Sequence, residues 1–131
     1  MSRIYKLYLE DILRAIARIH GLMQELNETE FKAGALQTDG VLFNLMTIGE
    51  AAKNVPQGLR DLTPEISWSD IGRFRDFVVH RYFGLDMSKV LEIVQTDLPP
   101  LKVAVEKLLA DIEQNGASLS LIHISEPTRP Y

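Results

Sequence analysis

SRIYKLYLEDILRAIARIHGLMQEL, residues 2–26, carries an apolar side chain every three or four positions: Ile4, Tyr8, Ile12, Ile16, Ile19 and Met23. This recurrence matches the turn of an α-helix and draws a stripe along one face, with Ser2 placed to cap the start and an end near Leu26. A polar stretch from Asn27 follows. From about Leu36 to Val55 a second helical pattern sets Val41, Leu42, Leu45, Ile48 and Ala52 on one side, and Pro56 ends it or begins the next turn. The run PQGLRDLTPEISW (56–68) holds two prolines and a glycine and reads as a short helical turn and a loop. Ser67, with Asp70 three positions on, resembles a capping box for a helix whose apolar contacts are Trp68, Ile71, Phe74, Val78 and Val79, and Gly84 is a natural stop. Asp86 caps a further short helix through Val94, and Pro99-Pro100 opens a last amphipathic helix with Leu101, Val105, Leu108, Leu109 and Ile112. No β-period alternation of useful length occurs. The expected fold is therefore all-α, a bundle of four or five helices.

The 131 residues, 46% hydrophobic and 24% charged, suit one domain with a modest core and leave no room for a second. There is no cysteine, which removes disulfides and thiolate metal sites, and the histidines lack metal-ligand spacing. No metal and no cofactor is expected. With no signal-like or membrane-spanning run, the chain reads as cytoplasmic and without a membrane partner. A net charge of -4 argues against coating nucleic acid through a broad basic surface, because that mode depends on releasing many counterions, but it leaves room for a small local site. The segment 117–131 has no helical stripe and two prolines, resembles translated sequencing-adapter read-through, and reads as a non-native or disordered tail; His123 within it takes no role. The domain is then 1–116.

The segment that carries chemistry is RDFVVHRY (75–82): an arginine, four residues, a histidine, one residue, a tyrosine. By itself this spacing is weak, since a helical histidine is more often a structural hydrogen-bonding residue. Helix geometry sharpens it. Arg75 and Tyr82, seven apart, share a face, whereas Arg75 and His80, five apart, are separated by about 140° around the axis. His80 aligns instead with Asp76 and Arg73, so Asp76 is placed to orient the imidazole. For Arg75 and His80 to act on one phosphate, the arginine must reach around the helix or two copies must face each other across a dimer axis. Chemically the set suits RNA cleavage: histidine moves protons near neutral pH, and guanidinium grips a phosphate and its transition-state charge. The nucleophile would be the RNA 2′-hydroxyl, leaving a 2′,3′-cyclic phosphate and sparing DNA.

NLMTIGEAAKNV (44–55), PEISWSDIGRFRDFVVHRYFGLD (64–86) and LPPLKVAVEKLL (98–109) together resemble the HepT family of HEPN-domain toxins, the DUF86 family, over most of residues 3–113. Its arginine–histidine–tyrosine signature falls on Arg75, His80 and Tyr82, with Asp76 as the polar residue after the arginine, where many relatives carry asparagine. The resemblance implies a HEPN-type bundle forming a homodimer. It further implies an endoribonuclease that cleaves tRNA or mRNA without metal, with Arg75 and His80 of both protomers lining a cleft. The family's usual partner is a MntA-like nucleotidyltransferase antitoxin that transfers AMP from ATP onto the motif tyrosine, which would be Tyr82, in a type VII toxin–antitoxin system. The alternative is a non-catalytic, nucleotide-binding HEPN accessory subunit of a nucleotidyltransferase.

Other residues carry two readings each. Glu50, a carboxylate on an otherwise apolar helix, either pairs with a motif arginine in support of the site or is a structural charge at the bundle edge. Gly49 permits close helix packing. Trp68 and Phe74 read as core or interface aromatics ahead of base-stacking ones. Arg73 and Arg81, with Lys53 and Lys89, are candidate phosphate contacts or solvated charges.

Overall fold

A strict four-residue spacing such as Ile4–Tyr8–Ile12–Ile16 drifts about 40° per step around a helix, whereas alternating steps of four and three hold one face. Helix α1 (Ser2–Gln24) follows the second rule. In the computed structural model, which describes residues 2–26, 35–81, 84 and 86–114, its buried side chains are Tyr5, Leu9, Ile12, Ala15, Ile16 and Ile19. Ile4 is 36% exposed, and Tyr8 and Met23 are only partly buried. The expected stripe is thus right in its C-terminal half and rotated at its start. Tyr82, the polar stretch from Asn27 and the segment 117–131 lie outside the described residues.

Helix α2 (Leu36–Lys53) is central, packing against both α1 and α4. Two neighbours explain why burial goes most of the way round it: beyond the expected Val41, Leu42, Leu45, Ile48 and Ala52, it also buries Thr38, Asn44, Gly49 and Ala51. Leu22 lies against Gly40 while Tyr8 and Asp11 share a depression with Ala51 and Asn54, so α1 and α2 run antiparallel. Arg60 closes the C-terminal end of α2, donating from Nε to the Val55 carbonyl and from Nη2 to the Ala52 carbonyl, both at 2.8 Å. These bonds satisfy carbonyls that a helix end leaves without intrahelical donors.

Pro56 begins the short helix α3 (Gln57–Arg60). Helix α4 (Trp68–Arg81) starts after Ser67, whose hydroxyl donates to the Asp70 carboxylate at 2.8 Å, a side-chain variant of the expected capping box. Trp68, Ile71, Phe74 and Val78 are buried, and Val79 is exposed. Trp68 Nε1 donates to the fully buried Thr63 hydroxyl at 3.0 Å, which ties the start of α4 to the loop before it.

Asp86 caps α5 (Met87–Glu92), accepting from the Ser88 backbone N–H at 3.0 Å. The break expected between a helix ending near Val94 and one opening at the prolines does not occur. The chain stays helical through a π-turn (Ile93–Asp97) into α6 (Leu98–Gln114). Pro99 and Pro100 lack N–H groups and would crowd carbonyls one turn back; a wider turn just before them relieves both problems without leaving helical backbone angles. Helix α6 packs on α1 and buries Leu98, Leu101, Ala104, Val105 and Leu108. The architecture is all-helical among the described residues, as expected, and no described helix is long and apolar enough to cross a membrane.

Candidate functional site

Two glycines set the position of the motif. A Cβ on Gly49 would stand 2.6 Å from the Arg75 backbone nitrogen and 3.2 Å from the Gly72 carbonyl oxygen, so α2 and α4 touch backbone to backbone there. Only hydrogen fits. Gly72 in turn lies under the Lys53 side chain, whose Cγ would be 3.1 Å from a Cβ at that position. Helix α2 therefore holds Arg75 in place through Gly49, and one turn later delivers Lys53 to the same stretch of α4.

Lys53 Nζ donates to Asp76 Oδ1 and Oδ2 at 3.2 and 3.4 Å, and Arg75 Nη1 donates to Oδ1 at 3.4 Å. All three side chains stay open to solvent, between 39% and 44% exposed. The Lys53 hydrogen bond, with its charge and with Arg75, outweighs partial desolvation and holds the Asp76 carboxyl below the ordinary aspartate value of 3.8. Asp76, expected to reach back to His80, is instead drawn to these two cations. Charged donors compete better for a carboxylate than an imidazole does. His80 is exposed on α4, and its imidazole makes no hydrogen bond among the described residues.

Helix α4 is regular through the motif, so His80 lies about 7.5 Å along the axis from Arg75 and about 140° around it. One copy does not bring the two together on a single face. Exposed Val79 flanks Arg75 on the Arg75 side of the helix. Arg73 is highly exposed and pairs with Asp70 at 2.9 Å, and Lys89 pairs with Glu92 at 3.5 Å. Arg81 closes the helix, its side chain outside the described residues. Glu50 is exposed and lines the α1–α2 depression with Tyr8, Asp11, Thr47 and Asn54; among the described residues it makes no ion pair with a motif arginine. Trp68 and Phe74 belong to the core. No three histidine, aspartate or glutamate side chains gather as metal ligands would among the described residues.

The grouping of Lys53 with the motif was the feature hardest to read in advance. It lies 23 residues from Asp76 on another helix, and in the sequence it is one basic residue among several.

The pattern defining the family described as Ribonuclease HepT-like matches residues 12–108. A Thermococcus cleftensis protein named "Probable ribonuclease HepT" is 40% identical over 108 residues, covering 82% of this chain and 98% of the relative. A Methanocaldococcus jannaschii protein named as a gamma-glutamylcyclotransferase and candidate RNase is 31% identical over 88% of this chain, which spans only 52% of that longer protein. Another from the same organism, named as a candidate RNase, is 31% identical over 86% of this chain and 97% of its own length. No solved structure matches. With the arginine–histidine motif standing exposed on one helix of an all-helical fold, and with a family pattern running from α1 to α6, the chain belongs to the HepT-like ribonuclease family.

Proposed function

We propose that this protein is an endoribonuclease that cleaves tRNA or mRNA by attack of the RNA 2′-hydroxyl on the adjacent phosphate, without a metal ion. The observation that carries the reading is the exposed cationic segment of α4. Arg75 and His80 stand free of the core on a helix whose backbone is pinned at Gly49, while relatives matched over 97–98% of their own length are named as ribonucleases. His80 takes the proton from the 2′-hydroxyl as the 2′-oxygen bonds to phosphorus. The bond from phosphorus to the 5′-oxygen then breaks, and the leaving oxygen receives a proton, leaving a 2′,3′-cyclic phosphate and a 5′-hydroxyl. Arg75 neutralises the extra charge on the phosphorane oxygens. Because the two residues diverge around α4, the working centre is shared between two copies, each offering its motif to one cleft. Arg73 and Arg81 serve as outlying phosphate contacts and Asp76 as a supporting charge, while Glu50 is a charge at the bundle edge.

In the cell this activity is the toxin half of a type VII toxin–antitoxin pair in the cytoplasm, silenced when a MntA-like nucleotidyltransferase transfers AMP from ATP to the Tyr82 hydroxyl and releases pyrophosphate. A bulky anion beside the cationic segment opposes RNA entry by sterics and by like-charge repulsion.

Purified protein incubated with total RNA in excess EDTA tests the catalytic part. Cleavage by the wild type, with a loss of about 10²-fold or more in His80→Ala, supports it. Intact RNA with a soluble, dimeric wild type refutes it and favours a nucleotide-binding accessory subunit.

A further inference from the structure

Asp76 places a negative charge in the middle of the cationic segment. Its nearest acceptor–donor contact on its own helix is Arg75 Nη1, at 3.4 Å. Left with that partner alone, the carboxylate would compete with any incoming phosphate for the same guanidinium, and its own charge would repel the phosphate. Lys53 changes the balance. Coming from α2, its ammonium reaches both oxygens of Asp76, the closer at 3.2 Å, a tighter engagement than the arginine's. The local charge, two cations and one carboxylate, then sums to +1 instead of zero.

Resting on the ribonuclease reading, we infer that Lys53 is a positioning residue: by holding the Asp76 carboxylate it releases Arg75 to bind the RNA phosphate. The arrangement is built into the fold. Gly72 leaves the space through which the Lys53 stem passes along α4, and Gly49 brings the two helices close enough for an ammonium one turn further on to reach Asp76. Lys53 thus acts through Asp76 and does not itself grip the substrate. On phosphate binding Arg75 exchanges a long bond to a carboxylate for a charge-assisted bond to phosphate, while Asp76 keeps Lys53 as its counterion. No covalent step is involved.

The test is a double-mutant cycle read as RNA affinity, in a His80→Ala chain so that bulk tRNA serves as a probe that is not consumed. Lys53→Met weakens binding about three- to tenfold with Asp76 present, and changes it by less than about twofold when Asp76→Asn is made in the same chain. Lys53→Arg, which can hold the same carboxylate, stays within about twofold of the parent. Thermal melting of each variant checks that the fold persists, which is expected for two partly exposed side chains.

Equal loss from Lys53→Met in both backgrounds would overturn the inference and make Lys53 a direct phosphate contact. No loss in either would also overturn it, leaving a surface ion pair without effect on Arg75. The wild-type chain, with His80 intact, is assayed for cleavage in parallel: absence of cutting with the cycle intact refutes the ribonuclease reading alone, whereas absence of tRNA binding in every form together with absence of cutting by the wild type removes the two together.

Discussion

Asp97 and Asp76 are carboxylates with opposite burdens, and the difference is measurable by pH. Burial, with Glu92 and Asp70 adding to it and Lys89 partly offsetting it, raises the Asp97 pKa above 3.8. A raised aspartate costs stability wherever it must be ionised, so the cost is fully present above its folded pKa and vanishes below 3.8. Asp97→Asn should therefore raise the melting temperature at pH 7 and leave it nearly unchanged at pH 3. Asp76 has the reverse sign. Its lowered pKa stabilises the fold fully above 3.8, and that contribution is lost as the pH falls below 3.8 and through its lowered folded value, so Asp76→Asn should lower the melting temperature at pH 7 and lower it by less the further the pH is taken below 3.8. At the motif itself, Arg75→Ala should reduce cleavage about 10²-fold, with circular dichroism unchanged because the side chain is not part of the core. Arg75 and His80 were legible because their spacing and chemistry survive in one dimension. The partner of Asp76 was not, since helical spacing on α4 pointed to His80, whereas Lys53, which engages both carboxylate oxygens, sits on α2.

Helices α2 and α4 meet through glycines, and that contact is the most sensitive element-level feature. Gly49→Ala puts a methyl 2.6 Å from the Arg75 backbone nitrogen. Backbone cannot rotate away as a side chain can, so α4 must shift, at a cost of about 1–3 kcal/mol. Denaturant unfolding should show that loss, and residual cleavage should fall with it because Arg75 moves. Trp68→Phe removes the indole donor from the buried Thr63 hydroxyl and should cost about 1–3 kcal/mol without altering the cationic segment. Element identity was readable from periodicity wherever a helix buries one face, as in α6. It was less readable in α1, where a run of four-residue spacings suggested Ile4 and Tyr8 in place of Tyr5 and Leu9. The two prolines suggested a break that the π-turn avoids, and a wide turn leaves no simple trace in apolar spacing.

At the scale of the whole molecule, the all-helical architecture and the family signature lead to the same helix, α4, and the crossing with α2 explains why it presents its charges outward. The proposed dimer rests on a geometric argument: one regular helix sets Arg75 and His80 about 140° apart, and two copies facing each other can supply both to one phosphate. A mixed population of Arg75→Ala and His80→Ala chains should then recover cleavage that neither homodimer shows, provided that each mixed dimer retains one arginine and one histidine in the same cleft. The most direct measurement of the ribonuclease claim maps new RNA ends in cells after brief expression of the wild type or of His80→Ala. New ends bearing 2′,3′-cyclic phosphates with the wild type alone are the expected result; intact RNA in both, from soluble protein, would contradict it.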